Sequence, residues 1–152
     1  MSRAYVALGS NAGDPTSNVE RGFDVLASLG TVLRRSSLYR TPPWGKTDQP
    51  DFVNAVALIE TSRSPRGLLS ALKAAEVRLG RAPGERWGPR VIDLDLLTYD
   101  DVRIDEPDIH VPHAELERRG FVLVPLAEID PAYAAMRDAL DPSEVSAIVR
   151  LA

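Results

Sequence analysis

Apolar and polar residues between positions 3 and 99 form a pattern that predicts four strands and two helices. Short runs rich in β-branched and aromatic residues favour strands, whereas apolar residues three and four positions apart favour helices. We therefore expect strands at residues 3–9, 31–39, 52–61 and 91–99, and helices at residues 15–29 and 65–79. The order is strand, helix, strand, strand, helix, strand.

Both predicted helices start at residues that favour a helix N-terminus. Asp14 and Ser64 can each cap a helix, and each is followed by a proline, which fits the first helical turn. Gly30 and Gly80 are expected to end the helices. This βαββαβ order predicts an α+β fold with a ferredoxin-like core, in which both helices cover one face of an antiparallel sheet.

Residues 101–152 are expected to cover the opposite face of the sheet, which gives three layers with helices on both faces. Within them the pattern predicts a short strand at residues 102–104, a helical turn at 112–118 and a C-terminal helix that begins at Asp141. A chain of 152 residues with 44% apolar content fits a single domain over residues 1–152.

Composition excludes several classes of protein. The chain has no cysteine, which rules out a disulfide scaffold, a thiolate zinc site and thiol catalysis. Its formal net charge of −4 argues against general nucleic-acid binding, and no apolar run approaches the roughly 20 residues that span a bilayer. We therefore expect a cytoplasmic protein with no nucleic-acid or membrane partner, and its polar surface composition favours a monomer.

Two aspartates stand out in the last of the four predicted strands. Because side chains alternate between the faces of a strand, Asp93 and Asp95 share one face, with Cα atoms about 6.5–7 Å apart. Carboxylates at that separation can bind one hard cation jointly, or two cations bridged by phosphate oxygens, and magnesium is the natural candidate. The alternative is that both aspartates simply solvate the open face of an edge strand.

Three arginines precede these aspartates in a loop punctuated by glycine and proline. The guanidinium groups of Arg81, Arg86 and Arg90 match phosphate groups in geometry, and a loop could close them over a triphosphate. The alternative is a solvated surface with no partner.

The chain has two histidines, His110 and His113. His113 could add a phosphate hydrogen bond, act as a general base or have a structural role, whereas a zinc site with His110 lacks a third ligand nearby.

Aromatic residues lie in or beside the loops that flank this predicted phosphate site. Trp44, Phe52, Trp87 and Phe121 could enclose a flat heterocycle, although ordinary core packing would also account for Phe52 and Phe121. Asn54 shares a strand face with Phe52, and its carboxamide suits the edge of a purine- or pterin-like ring.

Together these motifs resemble the 6-hydroxymethyl-7,8-dihydropterin pyrophosphokinases, and the resemblance runs along nearly the whole chain. It rests on A-L-G-S-N at residues 7–11, S-L-Y-R-T-P-P at 37–43, D-Q-P-D-F-V-N at 48–54, R-W-G-P-R-V-I-D-L-D at 86–95, V-P-H at 111–113 and R-G-F at 119–121. It implies transfer of pyrophosphate from ATP to the hydroxymethyl group of the pterin, with AMP as the leaving group.

The resemblance also implies roles for individual residues. Asp93 and Asp95 would hold two magnesium ions, and Arg81 and Arg90 would act with them during transfer. The residues implied to bind ATP are Lys73, Glu76, Arg81, Trp87, Arg90, His113 and Arg119. The residues implied to bind the pterin are Thr41, Pro42, Pro43, Trp44, Phe52, Asn54, Trp87 and Phe121.

Some positions depart from the family pattern. Lys73 stands at a glutamine-like position, so we expect it to add positive charge to the ATP site. Pro83, Ala114 and Asp108 stand where an arginine, an aromatic residue and a basic residue are expected.

The residues alone leave two other functions open. A kinase that transfers only the γ-phosphoryl group would use the same metals and arginines. A non-catalytic ferredoxin-like module could also bind a small ligand, although it would not need paired aspartates beside three arginines.

Overall fold

The computed structural model describes residues 1–43, 48–80 and 91–151. Within these ranges the strands are β1 (Ser2–Ser10), β2 (Thr31–Arg35), β3 (Tyr39–Thr41), β4 (Phe52–Thr61), β5 (Asp93–Tyr99), β6 (Ile104–Glu106), β7 (Ile109–Val111) and β8 (Val149–Arg150). The α-helices are α1 (Pro15–Leu29), α2 (Pro65–Arg78), α3 (Gly120–Ile129), α4 (Ala134–Asp138) and α5 (Pro142–Ser146). Short 3₁₀ turns occur at Leu116–Arg118 and Pro131–Tyr133.

The main sheet is antiparallel, with strand order β5-β1-β4-β3-β8, and β2 also pairs with β4. Strand β4 is central because it pairs with β1 along nine residue positions on one edge and with β2 and β3 on the other. β6 and β7 form a separate hairpin. This order confirms the predicted ferredoxin-like core.

Helices cover both faces of the sheet, as predicted. Val6 and Leu8 of β1 lie in one core with Phe23 of α1 and Leu72 of α2. The alternate strand residues face α3. Val56 of β4 and Leu97 of β5 pack there with buried leucines of that helix. The fold is therefore three-layered, and its second face is covered by α3.

Sequence patterns missed α3 because this helix is apolar on nearly all sides. Its sequence Gly-Phe-Val-Leu-Val-Pro-Leu-Ala-Glu-Ile has no clear helical period and contains Pro125. A helix that is buried all round loses the polar stripe on which periodicity depends. The helical turn predicted at residues 112–118 is limited to Leu116–Arg118.

Two predictions about strands were wrong in extent or position. The strand predicted at residues 31–39 is divided into β2 and β3, because the hydroxyl oxygen of Ser36 accepts the backbone N–H of Val56 at 2.9 Å and interrupts the regular ladder. The strand predicted at residues 102–104 is displaced into the β6–β7 hairpin. The predicted C-terminal helix begins after Asp141 but lasts five residues.

The predicted helix ends are confirmed, with one difference in mechanism. Asp14 and Ser64 accept hydrogen bonds from the backbone N–H groups of Ser17 and Gly67, at 3.2 and 3.0 Å. Gly80 follows α2 in the left-handed region, at φ +104°. Gly30 is extended instead, and its lack of a side chain matters because a Cβ there would lie 2.3 Å from the carbonyl oxygen of Glu60.

Helix α3 is fastened to the β3 edge of the sheet by the carboxylate of Glu128. This group accepts hydrogen bonds from the backbone N–H and hydroxyl of Ser37, at 2.9 and 2.8 Å, and from the Tyr39 hydroxyl at 2.7 Å. Burial and the hydrogen bond to Glu128 raise the pKa of Tyr39 to about 12. The anchored C-terminal end helps to fix α3 across the sheet.

Among the described residues, no helix is both long and apolar enough to cross a membrane.

Candidate functional site

One row of paired residues connects the predicted heterocycle-binding and metal-binding positions. Asn54 of β4 is paired with Gly9 of β1, and Gly9 is paired with Asp93 of β5. Paired residues in antiparallel strands project from the same face, so Asn54 and Asp93 lie on either side of a residue with no side chain. Two strand spacings separate their backbones, which is about 10 Å. The row therefore forms a shallow floor between an amide and a carboxylate.

Asp93 and Asp95 share one face of β5, as their spacing predicted, and α3 packs on the same side of the sheet. Both residues are half-buried, and Asp95 is paired with Ala7 in the next strand. Within the described ranges, no group of three or more histidine, cysteine or acidic side chains forms a metal cage. Two carboxylates without further protein ligands suit Mg²⁺, which commonly completes its shell with water and substrate phosphates.

Helix α2 brings a buried carboxylate and a lysine to the outer edge of β5. Glu76 is 1% exposed, and its Oε2 accepts the backbone N–H of Leu94 at 2.7 Å. The Nζ atom of Lys73 lies 3.4 Å from Oδ1 of Asp95 and 3.4 Å from Oε2 of Glu76. Glu76 thus supports the strand that carries the aspartates. Its contact with ATP stays a prediction.

His113 lies beside the same face and is held in one orientation. Its backbone N–H donates to the carbonyl of Leu97 at 2.8 Å, and its Nδ1 accepts the backbone N–H of Glu115 at 3.1 Å. Because Nδ1 is an acceptor, the neutral ring carries its proton on Nε2. The ring can therefore donate a hydrogen bond from Nε2 while it remains uncharged.

Arg119 precedes α3 and faces the aspartates. Its guanidinium carbon lies 5.4 Å from the centroid of the Phe121 ring. Burial lowers the pKa of Arg119 from its ordinary value, while the charges of Asp95, Glu115 and Asp93 oppose that shift. A half-buried cation close to two carboxylates is suited to a polyanion that arrives with its own metal ions.

The pH dependence of stability should report the burial of His113. Burial lowers the pKa of His113, with Asp95 acting in the opposite direction, so the folded protein binds this proton less readily than the unfolded chain. Stability from the neutral ring is therefore present above pH 6.5 and falls as the pH drops from about 6.5 toward the folded-state pKa. In His113→Gln, the free energy of unfolding measured with urea should fall less steeply as the pH drops from 7.5 to 5.

The matched control for that experiment is His110→Gln on the exposed hairpin, which leaves the His113 contribution in place. An unchanged pH dependence in His113→Gln would contradict the assignment.

The predicted pterin-binding residues Thr41, Phe52 and Asn54 lie together at the β3–β4 end of the row. Nδ2 of Asn54 donates to the Thr41 hydroxyl at 2.6 Å, and both residues are buried. Oδ1 of Asn54 lies over Gly9, where a Cβ would approach it to 2.5 Å and the Phe52 ring to 3.9 Å. Pro42 and Pro43 follow directly after β3, and Phe121 lies in the first turn of α3.

Five predicted site residues lie outside the described part of the chain. These residues are Trp44, Arg81, Arg86, Trp87 and Arg90. Their roles stay predictions.

Sequence reasoning gave no role to Gly9 or Asn11, although both lie in the quoted A-L-G-S-N motif. Asn11 is 3% exposed, and its Nδ2 donates to Oε1 of Gln49 at 2.9 Å and to the carbonyl of Pro50 at 3.1 Å. Asn11 therefore joins the β1–α1 turn to the segment that leads into β4. The available signal was a glycine followed by Ser10 and Asn11 at the end of a strand.

A cavity of about 370 Å³ adjoins His113 beside the β6–β7 hairpin. It is lined by Arg103, Ile104, Asp105, His110, Val111, Pro112 and Ala114. At this cavity Nδ1 of His110 lies 2.8 Å from Oδ1 of Asp105, within hydrogen-bonding distance. Asp108, one of the departures from the family pattern, makes an ion pair with Arg66 of α2, which also binds Glu106.

Comparison with known proteins shows similarity along most of the chain. Residues 5–131 match the family described as 7,8-dihydro-6-hydroxymethylpterin-pyrophosphokinase (HPPK). The chain is 43% identical, over an alignment of 157 positions, to the 2-amino-4-hydroxy-6-hydroxymethyldihydropteridine pyrophosphokinase of Methylorubrum extorquens. The alignment covers 99% of each chain. Its identity to the protein of the same name in Pseudomonas aeruginosa is 42% over 133 residues, covering 86% of this chain and 82% of that relative.

Solved structures show the same fold at much lower identity. An HPPK-DHPS structure in complex with substrates has a TM-score of 0.73 at 12% identity, covering 91% of this chain and 43% of that one. The Plasmodium falciparum HPPK-DHPS with SDX-DHP has a TM-score of 0.68 at 14% identity, with the same coverage. This chain therefore spans less than half the length of those two solved chains.

Proposed function

This chain belongs to the 7,8-dihydro-6-hydroxymethylpterin-pyrophosphokinase family, and we propose that the sheet face from Asn54 to Asp95 carries out its reaction. The enzyme transfers a pyrophosphoryl group from ATP to the hydroxymethyl group of 6-hydroxymethyl-7,8-dihydropterin, in folate biosynthesis. The hydroxymethyl oxygen attacks the β-phosphorus and its proton passes to the solvent, while the bond from the β-phosphorus to the oxygen that bridges it to the α-phosphorus breaks and AMP leaves.

The row formed by Asn54, Gly9 and Asp93 carries the site proposal. It puts an amide suited to a pterin edge about 10 Å from a carboxylate suited to a metal-bound phosphate, with open backbone between them. A flat bicyclic ring bound at Asn54 can extend along this row and direct its substituent toward β5. Binding two reactants in this relation converts an encounter between them into a reaction within one complex.

The proposed magnesium ligands are Asp93 and Asp95. Their donor set fits the metal because both offer hard oxygen atoms on one strand face, and ATP phosphates can complete the coordination. Two bound magnesium ions would supply charge neutralisation on the phosphates and hold them for in-line attack. The carboxylates themselves act by fixing the position of that charge on a rigid strand.

The proposed phosphate-binding side chains surround the aspartates. The neutral ring of His113 donates from Nε2, and the guanidinium of Arg119 supplies a permanent positive charge. Arg81 and Arg90 are proposed to approach from their loop during transfer, on the strength of the resemblance. The cavity beside His113 is proposed to receive the nucleoside end of ATP, because Pro112 and Ala114, the chain neighbours of the proposed phosphate contact, line it.

The proposed pterin site uses both faces and one edge of the ring. Asn54 and Thr41 present buried hydrogen-bonding groups to the edge, and their mutual hydrogen bond fixes the amide orientation. Phe52 and Phe121 supply apolar faces, together with Trp87 on the strength of the resemblance. Trp44, Pro42 and Pro43 are proposed to flank the ring from the loop after β3.

The function is tested by identifying the nucleotide product. The protein is incubated with ATP, Mg²⁺ and 6-hydroxymethyl-7,8-dihydropterin, and we expect AMP to form only when the pterin is present. ADP would identify γ-phosphoryl transfer and overturn the reaction assigned here. No nucleotide product would favour a binding module. Omitting Mg²⁺ tests the proposed metal dependence in the same assay.

A further inference from the structure

Lys73 contacts three oxygen atoms at the edge of β5. Its Nζ lies 3.4 Å from Oδ1 of Asp95, 3.4 Å from Oε2 of Glu76 and 3.3 Å from the carbonyl oxygen of Leu94. The side chain of Lys73 is 45% exposed and that of Asp95 is 33% exposed, whereas that of Glu76 is buried. The lysine thus reaches from α2 to a proposed metal ligand along the protein surface.

The contacts of Lys73 are longer than the 2.7–2.9 Å typical of a charge-assisted N–H···O bond. The ammonium group is therefore held by attraction from several oxygens and by no single short bond. Lysine also carries its charge on a flexible four-carbon stem. Such a group can leave one anion for another at small cost, while Glu76 stays fixed by its bond to Leu94.

We propose that Lys73 is a positioning residue that serves as the counter-cation of Asp95 before substrate binds and transfers its contact to ATP phosphate when the metal arrives. This inference rests on the proposed magnesium site. A divalent ion on Asp95 would bring like charge close to the ammonium, so the two cations compete for the same carboxylate. Phosphate oxygens offer Lys73 another anionic partner, so competition is relieved when metal and nucleotide bind together.

The exchange predicts opposite effects on metal and nucleotide affinity. Without nucleotide, Lys73→Gln should bind Mn²⁺ about threefold to tenfold more tightly than the unaltered protein, because the competing charge is gone. The same variant should bind the magnesium complex of a non-hydrolysable ATP analogue about threefold to tenfold more weakly. Lys73→Arg keeps the charge and should shift both affinities less.

The test measures free Mn²⁺ by electron paramagnetic resonance in nucleotide-free protein, and analogue binding by calorimetry. Arg78→Gln removes one positive charge from the exposed surface of the same helix and is the charge-matched control. We expect it to change Mn²⁺ affinity by less than Lys73→Gln does. Equal tightening in both variants would mean that general charge, and not the contact with Asp95, sets the affinity.

Asp95→Asn separates failure of this inference from failure of the proposed site. If it leaves Mn²⁺ binding unchanged, the proposed metal ligand is wrong. If it weakens Mn²⁺ binding while Lys73→Gln has no effect on that binding, the metal site stands and the counter-cation role is overturned. Tighter Mn²⁺ binding with unchanged analogue affinity would overturn the transfer of Lys73 to phosphate.

Discussion

Replacing Asp95 with alanine is expected to lower kcat by about 10³-fold or more while the protein stays folded. The substitution removes a proposed metal ligand, and loss of several kcal/mol of charge stabilisation corresponds to a rate effect of this size. Stability should change little because Asp95 is partly exposed and the core side of β5 is formed by Leu94 and Leu96. Its loss also removes the contact with Lys73, which is a partly exposed pair.

The experiment compares kcat at saturating ATP, pterin and Mg²⁺, with thermal unfolding as the test of folding. Asp24→Ala is the matched control, because it deletes an exposed aspartate of α1, a helix that packs on the sheet face opposite Asp95. We expect its kcat to remain within a few-fold of the unaltered protein. Near-normal turnover of Asp95→Ala at saturating Mg²⁺ would contradict the metal assignment.

The shared face of Asp93 and Asp95 could be predicted because it depends on local geometry alone. Strand side chains alternate with a period of two, so the D-x-D spacing fixes the relation between these carboxylates. The helix starts at Asp14 and Ser64 were equally local, since each rests on a capping side chain followed by proline. Such features depend only on neighbouring residues, so they can be predicted without knowing the tertiary structure.

The relation of Asn54 to Asp93 depends on register and could not be predicted from local patterns. The two residues are nearly forty positions apart and meet because each is paired with Gly9. A shift of one residue in either pairing would turn side chains to the opposite face. The sequence therefore indicated an amide suited to a heterocycle and a carboxylate suited to a metal. It did not indicate that the two lie on opposite sides of Gly9.

Lys73 shows a related limit at the level of a side chain. The family resemblance implied that Lys73 belongs to the ATP site, but its contact with Asp95 depends on how α2 packs against β5. Helix α3 could not be predicted either, because its uniform apolarity hides the helical period. This helix packs on the side of the sheet that carries the site. In both cases tertiary packing determines the feature that matters for function.

Gly9→Ala is expected to weaken pterin binding by about tenfold to a hundredfold, with a smaller effect on ATP-analogue binding. The added Cβ would lie 2.5 Å from Oδ1 of Asn54, a distance that forces one of the two groups to move. Asn54 is 6% exposed and bonded to Thr41 at 2.6 Å, so its amide cannot move without losing that bond. The affinities are measured by calorimetry for each ligand separately.

A double-mutant cycle tests whether Gly9→Ala acts through Asn54. Asn54→Ala removes the amide and leaves space for the new methyl group, so the double variant should bind pterin about as weakly as Asn54→Ala alone. Additive losses would show that the methyl group obstructs the ring directly and that the Asn54 contact is secondary. Gly67→Ala in the first turn of α2 is the control for an added methyl group remote from Asn54, and we expect it to preserve pterin affinity. The dependence on Asn54 follows because Gly9, having no side chain, leaves room for the Asn54 amide oxygen that lies over it, and this amide orients the ring toward Asp93.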